Sequence, residues 1–208
     1  MLQNAQRLDA VMAVLRDAGA VRVLDLGCGP GPLLLRLADA DWPREIVGVD
    51  VDPGELRKAR AALAPLGLPD GERVRLVQGD LLRPDRALAG FDAAALVETI
   101  EHVDPSRLSA LEHGVFAVLR PGVVVVTTPN ADYNDLHPGR AGRFRHPDHR
   151  FEWSRAQLRA WAGRLAAAHG YTASLNDIGP AHPSLGTSSQ MAVFRRAGGD
   201  APAPVKLR

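Results

Sequence analysis

"VLDLGCGPG", Val23 to Gly31, decides the fold. An apolar run broken only by Asp25 leads directly into a loop in which Gly27, Gly29 and Gly31 alternate with other residues. A buried strand, such a loop and the helical "LLLRLADA" make the opening of a strand-to-helix unit, and the missing side chains let a ligand approach the backbone of the turn. A dinucleotide fingerprint, G-x-G-x-x-G, would need a third glycine where Pro32 stands, so that ligand class is disfavoured. Cys28, inside the loop, reads as a small buried residue rather than a nucleophile.

Reading outward, strands and helices alternate. "REIVGVD" is a second strand and is followed by a helix from about Pro53 to Ala64; "LPDG" is a turn; "RVRLVQGD" and "FDAAALV" are strands three and four. "RLSALEHGVFAVL" is helical, "PGVVVVTTP" is strand five, and "SRAQLRAWAGRLAAAHG" is a helix capped by Ser154 and stopped by Gly170. "YTASLNDIG" and "QMAVFRR" are close enough to pair antiparallel, and residues 3–18 form an amphipathic helix carrying Leu8, Val11 and Leu15. The alternation predicts a mostly parallel sheet covered on both faces, whose ligands bind beyond the carboxyl ends of its strands. Asp50 and Asp80 fall at those ends. An acid about 20 residues beyond a glycine loop can accept from both hydroxyls of a ribose. Asp80 can accept from an adenine amino group, with the Leu81 backbone N–H donating beside it.

The chain has 208 residues, of which 46% are hydrophobic, enough for one globular domain with a substantial core. We expect residues 1–196 to form that domain and 197–208 a flexible tail. No apolar run nears the length of a membrane span, the start is not signal-like, and a single cysteine excludes a disulfide framework, so a cytoplasmic protein is expected. A net charge of +1 announces no nucleic-acid partner, although residues 137–164 hold seven arginines against two acids and could face an anion.

"VETIEHVD", Val97 to Asp104, follows strand four with Glu98, Glu101 and His102 at i, i+3 and i+4. On a helix those positions share a face and can converge on one point, and acids so close repel unless a cation or a proton relieves them. An acidic helix start is the plainer alternative. "FRHPDHRFEWSR" supplies His146 and His149 in an irregular stretch after strand five, able to fold back over the same crevice. Carboxylates with imidazoles form a mixed oxygen and nitrogen site that suits manganese, magnesium or iron better than a thiolate-loving metal.

"VLDLGCGPG", "GVDVD" and "GDLL" together resemble the class I S-adenosylmethionine-dependent methyltransferases, a Rossmann-like α/β fold. Its seven-stranded sheet is mostly parallel with an antiparallel last strand, and helices cover both faces. The resemblance implies cofactor binding by Asp25, Gly27, Gly29, Gly31, Asp50, Asp80 and Leu81. "AQRLDAV", "ETIEHVD", "TTPNADYN", "RHPDHRFEWSR" and "SSQMAVF" narrow it to the methyltransferase domain of the small-RNA 3′-terminal ribose 2′-O-methyltransferases, including bacterial RNA-repair members. That family implies a divalent metal, manganese before magnesium, held by Glu98, Glu101, His102 and His149, which also serve as the catalytic set. It gives Arg7 a part in placing the RNA end, leaves His146 without a role, and implies a partner: a polynucleotide kinase and ligase repair protein. Bacterial members usually carry a further amino-terminal region, whereas this chain reads as essentially the methyltransferase domain.

Single-stranded RNA would approach along Arg143, Arg145 and Arg150. A metal contacting both hydroxyls of a terminal ribose would replace a lysine base and reject internal nucleotides. Rival readings are a metal-assisted small-molecule O-methyltransferase, a non-catalytic cofactor-binding subunit of a repair complex, and a metal hydrolase. A base-amino methyltransferase is disfavoured because "ETIEHV" occupies the place of its Pro-Pro-aromatic motif.

Overall fold

The computed structural model describes residues 2–67, 73–136 and 144–198. The turn at "LPDG", Arg143 and residues 199–208 of the expected tail lie outside them. Seven strands form one sheet: β1 (Arg22–Leu26), β2 (Glu45–Asp50), β3 (Val74–Gln78), β4 (Ala93–Val97), β5 (Val123–Pro129), β6 (Tyr171–Ile178) and β7 (Ser189–Arg196), in the order β3-β2-β1-β4-β5-β7-β6. Neighbours among β1–β5 run parallel, while β7 is inserted antiparallel between β5 and β6. β6 and β7 meet antiparallel, as their closeness in sequence predicts.

The period of two along each strand divides the core between the faces of the sheet. Leu24, Leu26, Leu96, Val124, Val126 and Phe194 pack on the side of α4 (Leu108–His113) and α5 (Arg155–His169). Val23, Ile46, Ala93, Ala95, Val125 and Val193 pack on the side of α1 (Leu2–Asp17), α2 (Pro32–Asp39) and α3 (Pro53–Leu63). The predicted helix through "HGVFAVL" changes character at Gly114, and residues Gly114–Leu119 form a π-helical turn. α5 follows its sequence signals closely. Ser154 and Gln157 form a reciprocal capping box, and Gly170, at φ 73°, ends the helix in the left-handed conformation. Among the described residues, no helix is long and apolar enough to cross a membrane.

The stretch at Glu98 departs from expectation. It does not open an α-helix; only Ile100–His102 form a single 3-10 turn, and Glu98 itself has φ 52°. A non-glycine residue in the left-handed region interrupts helical propagation, so the i, i+3, i+4 face that spacing suggests is not built.

Candidate active site

The glycine loop leaves β1 beside β2, where the Gly27 and Cys28 amides both donate to the Val49 carbonyl. Gly27 (φ 77°) is required by contact as well as conformation: a Cβ there would lie 2.4 Å from Thr99 Cγ2, so the loop is pressed against the "ETIEH" turn. Gly29 (φ 52°) faces open space and leaves its backbone approachable. Gly31 begins α2 as its N-cap.

Asp50, at the end of β2, organises this loop by accepting from the Gly29 amide at 2.8 Å and the Asp52 amide at 2.9 Å. Asp80 accepts from the Leu82 amide at 2.9 Å and lies 4.0 Å from Arg107. Asp25 is buried, and its Oδ2 has no hydrogen-bond partner. Burial, reinforced by the Asp50 charge, pushes its carboxyl up to about 7. Burial likewise pushes the Cys28 thiol up, which suits an inert packing residue.

A cavity of about 770 Å³ extends from Gly27, Gly29, Asp50, Asp80 and Leu81 to Glu98, Thr99 and His102. His102, which lines its second end, groups with Glu101 and His149 behind it: each of the three offers a ligand atom, all within 4.8 Å of one another. Glu101 is completely buried; Thr128 donates to its Oε2 at 3.1 Å, while its Oε1 has no partner. Burial and then the Glu98 charge raise its carboxyl well above the ordinary range. Partial burial and the neighbouring His149 hold His102 below the usual histidine value.

The four expected metal residues are thus brought near one another but not as one set. Glu98 stands outside the three-residue group: Arg7 pairs with its Oε2 at 3.1 Å and Thr127 donates to its Oε1 at 3.2 Å. Burial raises its carboxyl, and Arg7 opposes that rise. Arg7, expected at the RNA end, also donates to Ser189 at 3.1 Å and Asn4 at 3.2 Å. His146 lines the cavity with its ring 6.3 Å from that of His102 but does not join the group.

His149 reaches the group through long-range bonds. Phe151 enters the core, Trp153 bridges to Asn130 at the end of β5, and the Arg150 amide donates to the Glu101 carbonyl at 2.7 Å. Trp153 packs on Phe151 and Trp161, so it is core rather than a base-stacking platform. Among the described residues of the arginine-rich segment, three arginines are engaged within the protein. Arg145 donates to Asn134 and to the Ser188 and Asn130 carbonyls, Arg155 pairs with Asp132, and Arg164 pairs with Glu112. Sequence reasoning missed Glu152, buried 2.5 Å from His149 Nδ1; its i+3 spacing from His149 in "HRFE" was the available signal.

A sheet of this order, with the antiparallel β7 inserted and a glycine loop after β1, defines the class I methyltransferase architecture. Residues 23–122 match the family described as "Methyltransferase domain". The chain is 40% identical to the crystallised methyltransferase domain of the bacterial CtHen1, covering 93% of this chain and 98% of that one at a TM-score of 0.85. A solved small RNA methyltransferase HEN1 is 31% identical at a TM-score of 0.86, covering 98% of this chain and 26% of that one. The small RNA 2′-O-methyltransferase of Xenopus tropicalis is 36% identical over 200 residues, covering 92% of this chain and 54% of that protein. The chain belongs to the Hen1 family of small-RNA methyltransferase domains. It spans about half the length of the curated vertebrate relatives it matches.

Proposed function

We propose that the chain transfers the methyl group of S-adenosylmethionine to the 2′-hydroxyl of the 3′-terminal ribose of single-stranded RNA. A divalent metal ion would assist, held by Glu101, His102 and His149 with Glu98 as a fourth donor. The observation that carries this reading is one cavity with two chemically different ends, a glycine loop with acids at one and the His102 cluster at the other. The residues fit a cation: an unpartnered carboxylate oxygen, otherwise costly in a buried site, lies beside two imidazoles. Mixed oxygen and nitrogen donors favour manganese and admit magnesium. When bound, the ion supplies Lewis-acid stabilisation of the ribose hydroxyl as its proton leaves.

The chain's own groups do the rest. Asp50 accepts from the cofactor ribose, Asp80 accepts from the adenine amino group, and the Leu81 N–H donates to the ring. Asp25 stands on β1 just before the loop, where the positive charge of a bound cofactor would favour its ionised form. Thr128 fixes the Glu101 carboxylate, and Arg7 with Thr127 fixes Glu98. The reaction is an in-line displacement: the sulfur–methyl bond breaks as the oxygen–methyl bond forms, leaving neutral S-adenosylhomocysteine, and the hydroxyl proton passes to solvent water. It needs the hydroxyl held about 3 to 3.5 Å from the methyl carbon.

Labelled cofactor and RNAs ending in a free diol, a 2′-deoxy sugar or a 3′-phosphate test the reading, each with and without chelator. Label should enter only the diol RNA and should disappear with chelator. Equal labelling of all three ends would refute it. On the family resemblance we extend the proposal to work beside a polynucleotide kinase and ligase repair protein. Co-elution of the purified proteins would support that extension, and separate elution would remove it.

A further inference from the structure

We infer that Glu152 is a positioning residue that fixes His149 with its proton on Nδ1 and its Nε2 lone pair turned toward Glu101 and His102. The inference rests on the reading of that cluster as a metal site. His149 Nδ1 lies 2.5 Å from Glu152 Oε1, and both side chains are almost completely buried, at 8% and 1% exposure. With Nδ1 engaged by a carboxylate, Nε2 is the ring nitrogen left to act as a ligand.

Glu152 is itself held from both sides of the chain. Asn134 Nδ2 donates to its Oε2 at 2.6 Å, and the Arg145 amide donates to its Oε1 at 2.6 Å. Arg145 Nε in turn donates to Asn134 Oδ1 at 2.9 Å, so the two donors brace each other. Asn134, the Arg145 amide and the His149 ring thus meet both oxygens of this buried carboxylate. A buried carboxylate with each oxygen satisfied has few ways to move. An imidazole bonded to it inherits that fixed orientation.

A structural filler would need neither the charge nor the alignment of acceptor with ring. Histidine ligands in general gain a fixed tautomer and greater basicity from such a partner, and losing it costs about 10- to 100-fold in metal affinity. Asn134 and Arg145 thereby acquire an indirect role: they keep Glu152 aimed at His149.

The test has two readouts on the full chain. Nitrogen-15 NMR of the metal-free protein, at a pH well above the ordinary histidine range, reports the His149 tautomer. The proton should sit on Nδ1 in the wild type and be shared between the two nitrogens in Glu152→Gln. A wild-type His149 protonated on Nε2 would overturn the inference, whether or not any variant folds. Calorimetric titration with Mn2+ should show an affinity about 10- to 100-fold weaker in Glu152→Gln. S-adenosylhomocysteine affinity should stay within about twofold, because Glu152 touches none of the cofactor loops. An unchanged Mn2+ affinity in the folded variant would also overturn it. If the wild type holds the Nδ1 tautomer yet binds no Mn2+, the metal reading fails while the positioning role stands.

Discussion

The two ends of the cavity are built in different ways. At the glycine-loop end, proposed to hold the cofactor, the loop after β1, Asp50 at the end of β2 and Asp80 after β3 are each set by their own strand, and the bonds that shape them are mainly from backbone amides. At the other end Glu101 and His102 leave β4 in a single turn, while His149 arrives nearly fifty residues later on a segment pinned by Phe151, Trp153 and the Glu152 network. The shape of that end is therefore encoded locally. The His102 end depends on side chains far apart in sequence keeping one relative position.

The largest effect that could break this comparison is Glu101→Ala. It should lower methyl transfer by about a thousandfold, equivalent to the several kcal/mol a metal contributes to charge stabilisation. Cofactor affinity should stay within about twofold by calorimetry, and parallel loss of both would mean the two ends are one cooperative unit. Next, Asp50→Ala should weaken S-adenosylhomocysteine binding by roughly 10- to 100-fold, the value of hydrogen bonds to a charged acceptor. Mn2+ binding should be unchanged, and a matching loss of Mn2+ affinity would join the ends again.

Asp25 offers a pH test confined to the cofactor end. Its folded carboxyl is raised from 3.8 to about 7. The unfolded chain therefore releases this proton first as pH rises, and the contribution to stability present below about pH 4 is lost progressively toward pH 7. Asp25→Asn should remove that slope and stabilise the cofactor-free protein at pH 8 by about 2 kcal/mol or more, since each tenfold weakening of the acid on folding corresponds to roughly 1.4 kcal/mol. Thermal denaturation across pH checks it, and an unchanged slope would show that Asp25 is not the titrating group. The smallest effect is expected at Ser154→Ala, which should cost about 1 kcal/mol by removing half of the capping box that follows the His149 segment. If transfer falls much further than stability, α5 is coupled to the site more tightly than its cap implies.

Much of this was legible in advance because it depends on short-range rules. The seven strands, the antiparallel end, the Ser154 cap, the Gly170 stop and the places of Asp50 and Asp80 at strand ends all follow from periodicity and turn chemistry. The grouping of Glu101, His102 and His149 was legible only with the family resemblance, since spacing alone left His146 equally eligible. Glu98 shows the limit of spacing: the i, i+3, i+4 pattern presumed a helix, and the left-handed backbone at Glu98 instead turned its side chain to Arg7. The arginine run shows the same limit, because several of its charges end in internal bonds.

By itself the sequence determined which segments form strands and helices, since the alternation of apolar residues and the chemistry of turns act within a few residues. Only the tertiary structure decided which histidine meets Glu101, which acid pairs with Arg7, and that Glu152 stands behind His149. Those choices depend on burial. A buried carboxylate must find a partner, and the partner is whichever group the folded core brings within reach.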